Sequence, residues 1–318
     1  MPTEYSCTVG AMPEVLPLDA LPSDRPAAVA LGLFDGVHRG HAALLRFTAE
    51  EGARRGALPT VFSFCEGSGI KAGLPRLSTP EERFARMGEC GIRRVALADF
   101  SSLRDLSPEE FVDRVLIGKM NASLAVCGEN FRYGRGGAGN PSTLSAQLAT
   151  HGGPLFVIET QKVGDITVSS SAIRAALAEG DAPLAAALLG RPFSLSGAVL
   201  HGKGLGHTVG LPTANLVFPE GGVLPACGVY AVRVLLGDRV LRGIANVGRR
   251  PTVEDSDTLN CETHILDFSG DIYGERMTVE FLYRLRPEKK FENIDALVRA
   301  VRADIETAER MKLWNGPN

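Results

Sequence analysis

Hydrophobic positions in the first half of the chain fall in short continuous runs separated by polar, helix-forming stretches. Residues 27–34, Ala-Ala-Val-Ala-Leu-Gly-Leu-Phe, predict a buried strand. Leu58 to Phe64, Arg94 to Leu97, Leu124 to Cys127 and Leu155 to Glu159 predict the strands that follow. A helical pattern runs from Ala42 to about Gly56. Another covers Pro80 to Gly88, with Thr79 as N-cap and Pro80 at the first helical position. Ser107-Pro108-Glu109-Glu110 opens a further helix with a Ser cap and an acidic first turn. Strands alternating with helices predict an α/β, doubly wound parallel sheet.

The pattern changes near Leu189-Gly190-Arg191-Pro192, so the domains are expected at 1–187 and 188–318. Beyond that point short strands follow one another directly. Tyr230 to Leu236 and Arg239 to Ala245 flank Gly237-Asp238, a hairpin signal. Glu262 to Phe268 and Arg276 to Leu285 predict a second pair, turning at Ser269-Gly270-Asp271. Strands without intervening helices predict a small antiparallel β-barrel. A C-terminal helix closes the chain, with Ile294, Leu297, Val298, Val301, Ile305 and Ala308 on one apolar face.

Composition narrows the function classes. The 318 residues are 44% apolar and 22% charged, an ordinary globular balance with room for two cores of roughly 150 residues. The net charge of -3 implies no basic surface for coating nucleic acid. The N-terminus shows no basic region leading into an apolar run, and no stretch approaches the roughly 20 apolar residues of a membrane span. Cys7, Cys65, Cys90, Cys127, Cys227 and Cys261 lie far apart with no C-x-x-C pair, which argues against a zinc site or a disulfide framework. A cytoplasmic enzyme, monomeric or a weak homo-oligomer, is expected, with no nucleic-acid or membrane partner.

Three clusters in the first domain can meet a nucleotide's phosphates. Gly32-Leu33-Phe34-Asp35-Gly36-Val37-His38-Arg39-Gly40-His41 sits where a strand ends and a helix begins, a ready anion site. His38 and His41 are three apart, so one helical turn presents both on one side. Their N–H groups suit charge building on an α-phosphate, chemistry that is mainly positioning and electrostatics. Gly128-Glu129-Asn130-Phe131-Arg132-Tyr133-Gly134 follows the fourth strand. There Asn130 is placed to meet a base, ribose or phosphate, Phe131 and Tyr133 to pack on a planar ring, and Arg132 or Arg135 to meet phosphate. Ser169-Ser170-Ser171-Ala172-Ile173-Arg174 enters a helix; Arg174, one turn in, can share an anion with the hydroxyls. Each cluster also has a plain reading, as surface histidines, a glycine-rich turn or a helix cap.

In the second domain Gly202-Lys203-Gly204-Leu205-Gly206 lets backbone amides approach phosphate. Pro212-Thr213-Ala214-Asn215 follows. Residues two apart in an extended segment face the same way, so Thr213 and Asn215 can bind one Mg²⁺ through hard oxygens. Glu262, in Cys261-Glu262-Thr263-His264, is the candidate base for a primary alcohol attacking a γ-phosphate, with Glu280 as its rival.

Together these elements resemble the bacterial bifunctional riboflavin kinase/FAD synthetase (FMN adenylyltransferase) family. The strings G-x-F-D-G-x-H-x-G-H, G-x-N-F-x-x-G and S-S-S-x-I-R resemble its nucleotidyltransferase module. Gly190-Arg191-Pro192, P-T-A-N, Gly228-Val229-Tyr230, Gly243 to Gly248, Arg250-Pro251-Thr252, Glu262-Thr263-His264, Asp271 to Gly274 and Leu285 to Phe291 resemble its riboflavin kinase module. The resemblance spans roughly residues 26 to 313. It implies a nucleotidyltransferase sheet followed by a six-stranded kinase barrel. It implies riboflavin, FMN and ATP as ligands, FMN and FAD as products, and Mg²⁺ in both steps. His38 and His41 would act at the ATP α-phosphate. Gly32, Phe34, Asp35, Gly36, Asn130, Ser170, Ser171, Arg174, Gly202, Lys203, Gly204 and Gly206 would bind nucleotide or phosphate. Thr213 and Asn215 would hold the metal, Glu262 would be the base, and Arg286 and Glu288 would line the flavin pocket.

Three positions depart from the family pattern. Cys65-Glu66-Gly67-Ser68 stands where an acidic residue and a P-x-P segment are usual. Gly137-Ala138 replaces a region that is often basic, and His207 replaces Arg or Lys. The first change leaves open a riboflavin kinase whose N-terminal domain has lost or weakened FAD synthesis. A flavin carrier without turnover, or a transferase for another phosphorylated substrate, would be the remaining alternatives.

Overall fold

The computed structural model describes residues 11–21, 25–67, 73–201, 211–249, 259–312 and 314. The glycine loop with Gly202, Lys203, Gly204 and Gly206, together with His207, Arg250-Pro251-Thr252, Ser68 and Cys7, lies outside the described residues. The chain divides into two compact units, Met1–Val168 and Ser169–Asn318.

In the first unit, β1 (Glu14–Pro17), β2 (Ala27–Leu31), β3 (Leu58–Phe64), β4 (Arg94–Ala98), β5 (Ala122–Gly128) and β6 (Leu155–Ile158) form one parallel sheet in the order β1-β4-β3-β2-β5-β6. Every residue of β2 is buried, as a central strand covered on both faces requires. Leu31, Phe62 and Phe111 pack on one face, and Leu45, Met87 and Ile92 on the other. The chain leaves β2 for β3 and β4 on one flank and returns to lay β5 on the other. This creates a switch point, with ligand space beyond the carboxyl ends of β2 and β5.

The α-helices of this unit are α1 (Arg39–Arg55), α2 (Pro80–Glu89), α3 (Phe100–Leu103), α4 (Pro108–Glu110), which runs on as a π-helix over Phe111–Ile117, and α5 (Pro141–Thr150). Thr79 caps α2 in a full capping box with Glu82, and Ser107 caps α4 in the same way with Glu110. A short hairpin of β7 (Lys162–Val163) and β8 (Ile166–Thr167) ends the unit.

The second unit begins with α6 (Ser170–Glu179) and α7 (Ala182–Leu189). The sequence pattern sets the domain boundary at 187/188, after α6 and near the end of α7. In the structure the Ala226 amide donates to the Leu177 carbonyl at 2.9 Å, so α6 is tied into the barrel's own unit. Then come β9 (Phe193–Ala198), β10 (Ala214–Val217), β11 (Gly228–Leu236), β12 (Arg239–Arg249), β13 (Leu259–Ile265), β14 (Arg276–Arg286) and α8 (Ile294–Arg310). The sheet order is β10-β13-β12-β11-β14-β9, antiparallel throughout. A Leu200–Asn215 bridge links the two ends into a barrel. Tyr230 and Phe281 meet edge to face in the interior at 5.3 Å, both fully buried.

Two expectations need correction. The first strand stops at Leu31, because Phe34 adopts a left-handed conformation with φ of 54° and is buried. The predicted pairing of Glu262–Phe268 with Arg276–Leu285 does not occur. β13 pairs with β10 and β12, while β14 pairs with β11 and β9. The connection between them is much longer than a two-residue hairpin loop, so it fixes no register and crosses the barrel end instead.

Candidate active sites

The loop after β2 is tightly built. Phe34 (φ 54°), Gly36 (φ 72°) and Val37 (φ 38°) all lie at positive φ, a cluster of local strain. A Cβ on Gly36 would stand 2.8 Å from the Leu77 Cβ, so only glycine fits. Asp35 Oδ1 accepts from the Leu77 amide at 2.9 Å, pinning the loop to the segment that enters α2. His38 is the N-cap of α1: its Nδ1 accepts from the His41 amide at 3.2 Å. The two imidazoles stack with centroids 3.6 Å apart, and Phe34 meets His41 edge-on at 5.2 Å. Because Nδ1 is an acceptor, the proton of neutral His38 sits on Nε2.

Asn130 is exposed in the turn after β5, the strand beside β2. Phe131 stacks on Tyr133 at 5.9 Å and packs against the core. Tyr133 is turned inward. Its hydroxyl donates to Gln147 Oε1 at 2.7 Å and meets Thr143 at 3.1 Å, and burial raises its pKa. It therefore belongs to the fold and is not a platform for a ring. A Cβ on Gly139 would lie 2.4 Å from that ring, which explains the glycine. The Arg132 guanidinium turns back on the Phe131 carbonyl. Ser169 supplies the cap of α6 by accepting from the Ala172 amide at 3.1 Å; Ser170, Ser171 and Arg174 occupy the first turns.

In the barrel, Asn215 and Glu262 are direct cross-strand partners, and Asn246 faces Glu262 from the other side. Two cavities adjoin this row. One, of about 500 Å³, is lined by Thr213, Thr263, Ile265, Phe268, Asp271 and Tyr273 among others. The second, of about 330 Å³, is lined by Thr213, Glu262, His264, Asn246, Arg286 and Glu288, with Leu211, Val229, Ile244, Phe291, Ile294 and Leu297 as apolar walls. Thr213 belongs to both. Alternation along β13 thus turns Glu262 and His264 to one cavity and Thr263 and Ile265 to the other. The rival carboxylate, Glu280, is paired with Arg233 at 2.5 Å and lines neither. Arg286 is clamped on Asp304 by bonds of 2.9–3.1 Å and lies over the Phe291 ring, while Glu288 accepts from Asn246 at 3.3 Å. His264 Nδ1 donates to the Pro212 carbonyl at 2.9 Å, tying β13 to the Pro212–Asn215 segment.

Two family profiles match the chain. The FAD synthetase family profile covers residues 21–172, and the riboflavin kinase profile covers residues 189–312. The bifunctional riboflavin kinase/FMN adenylyltransferase of Pseudomonas fluorescens is 36% identical over 295 residues, 91% of this chain and 94% of that protein. Those of Escherichia coli K12 and Bacillus subtilis are 36% and 32% identical, over 88% and 89% of this chain and 91% and 92% of theirs. The chain belongs to the bifunctional riboflavin kinase/FMN adenylyltransferase family. A crystal structure from Streptococcus pneumoniae titled as a macrolide-efflux protein superposes with a TM-score of 0.83 at 31% identity, covering 93% of this chain and 98% of that one. No helix among the described residues of this family member is long and apolar enough to cross a membrane.

Where this chain leaves the family's P-x-P pattern, Glu66 is held by Arg76, an ion pair between the two ends of the loop. Sequence reasoning missed Asp304, whose partner Arg286 lies eighteen positions away, and Asn260, which belongs to no motif.

Proposed function

We propose that the chain makes flavin cofactors in two ATP-dependent steps: riboflavin to FMN in the barrel, and FMN to FAD in the parallel-sheet unit. The observation that carries the first step is Thr213 in the walls of two adjoining cavities, with Glu262 in the wall of one of them and Asn215 paired with Glu262 across the strands. The apolar cavity suits the flavin ring, and the cavity beyond Thr213 suits the nucleotide. Glu262 takes the proton of the riboflavin 5′-hydroxyl. That oxygen bonds to the γ-phosphorus, the bond to the bridging oxygen breaks, and ADP leaves.

The donors at the junction fit Mg²⁺. Thr213 and Asn215 offer hard oxygens, and Asn260 donates to Asn215 Oδ1 at 3.1 Å, which fixes that atom as the amide's carbonyl oxygen. Mg²⁺ held there would supply positive charge against the nucleotide phosphates.

In the second step an FMN phosphate oxygen attacks the α-phosphorus of ATP and pyrophosphate leaves. His38, with its proton on Nε2, and His41 stabilise the charge that builds there. Asn130 is the proposed nucleotide contact of this unit; Ser170, Ser171 and Arg174, at the start of α6, are proposed phosphate contacts in their own right. A cytoplasmic site of action belongs to this proposal, on the wide spacing of the cysteines along the chain. A chromatographic time course from riboflavin, ATP and Mg²⁺ tests the scheme. FMN should accumulate first and FAD should follow. FMN without FAD or pyrophosphate would support the reading in which the N-terminal unit has lost its activity, and neither product would support a carrier.

A further inference from the structure

Asn260 is 5% exposed and lies on β13 two residues before Glu262, facing the same way. Its Nδ2 donates one hydrogen to Asn215 Oδ1 and the other to Glu262 Oε1, each at 3.1 Å. Both neighbours are acceptors, so the amide has only one sensible orientation. Its own Oδ1 is buried and has no hydrogen-bond partner among the described residues. What the arrangement secures is the bridge on the other side of the amide. The Asn215 Nδ2 donates to the Thr213 carbonyl at 3.4 Å, and the Asn260 bond adds a hold on its Oδ1; without the bridge the Glu262 carboxylate could swing about its side-chain torsions. With it, Glu262 Oε1 is committed and Oε2 remains for the alcohol.

We propose that Asn260 is a positioning residue for phosphoryl transfer, holding the Asn215 carbonyl oxygen and the Glu262 carboxylate in one fixed geometry through a single amide nitrogen. This rests on the kinase reading of Asn215 and Glu262 given above. Asn260 itself lines neither cavity, so it acts through its two neighbours. Its effect belongs to turnover and not to riboflavin capture.

The test uses the full chain with Asn260→Asp, which has the same volume but no amide donor, and Asn260→Gln, which restores a donor on a longer arm. Riboflavin affinity is read from flavin fluorescence without nucleotide or metal, and kcat and KM from FMN formation. FAD formation from supplied FMN checks that the protein is intact. For Asn260→Asp, kcat should fall roughly 10- to 100-fold, as second-layer ligand partners typically do. Riboflavin affinity and KM should stay within about twofold, and Asn260→Gln should recover part of the loss. Wild-type kcat in Asn260→Asp would overturn the proposal. So would a loss of riboflavin affinity in step with kcat, which would mark Asn260 as a packing residue. Asn260→Ala is read by the same criteria and decides the matter if the added charge prevents folding. Glu262→Ala is run alongside: full activity there would sink the kinase reading itself, whatever Asn260 does.

Discussion

The imidazoles of His38 and His41 lie face to face, 3.6 Å between centroids and 15° from parallel, with the His41 amide bound to His38 Nδ1. One side chain thus caps the helix and, through that same bond, keeps its own ring proton on Nε2.

The cap and the chemistry can be separated. Asn is as good a cap as any residue, whereas Ala is a poor one. Replacing His38 with Asn should keep the thermal stability of the first unit and reduce FAD formation from FMN about 10²- to 10³-fold. His38→Ala should lose the same activity and also about 1 kcal/mol of helix stability. FMN formation from riboflavin should be unchanged in both. Retained FAD synthesis in His38→Asn would remove the histidine from the mechanism.

Glu262→Gln keeps the size of the side chain and removes the base. FMN formation should fall about 10²- to 10⁴-fold, with riboflavin binding intact and FAD formation from supplied FMN unaffected. Equal kinase rates would exclude Glu262, and attention would pass to other groups of the same cavity.

Gly36→Ala tests the strained loop. The φ of 72° and the 2.8 Å approach to the Leu77 Cβ leave no room for a methyl group. The variant should be destabilised by about 1–3 kcal/mol in the first unit and should lose FAD synthesis, while the kinase reaction continues. Unchanged unfolding of the first unit would contradict the loop geometry.

Much of this was legible in the chain itself, because the signals are local. Leu58–Phe64 reads as a strand from its apolar run alone, and Thr79-Pro80 with Glu82 announces a helix start by cap chemistry. Gly237-Asp238 allows only a tight turn between its strands. What was missed is non-local. β1 is an edge strand of Glu14–Pro17, too short to show a period and stabilised by pairing with β4. α5 is built from Ser, Thr, Gln and Ala with little amphipathic contrast, and its identity comes from the Asn140 cap and burial of Leu144 and Leu148. The strands β13 and β14 are neighbours in sequence but not in the barrel, since closure, not turn chemistry, chooses their partners. Tyr133 offered a ring to any reading; only packing shows that its hydroxyl is spent on Gln147. The Asn260 bridge depends on three strand positions meeting across two strands, which no linear spacing encodes.

Burial also sets an alkaline limit. It pushes the Cys261 thiol from the usual 9.0 to about 12 and the Tyr230 hydroxyl from 10.0 to about 12. The unfolded chain releases these protons first, so barrel stability is full below about pH 9 and falls as pH rises towards 12. Trp314, the only tryptophan, donates to the Val232 carbonyl at 2.9 Å and reports on the barrel by fluorescence. Its unfolding midpoint in urea should be lower at about pH 11 than at about pH 8, and Tyr230→Phe should lessen the difference. A midpoint that rises with pH would contradict the burial of these groups.

Following the phosphorus from ATP tests the central claim most directly. One preparation is given riboflavin with ATP labelled either at the γ- or at the α-phosphorus. The account predicts γ-label in FMN and in the flavin-side phosphate of FAD, and α-label in FAD alone, on its adenylyl side. Label from the α-position in FMN, or FAD carrying no α-label, would contradict it.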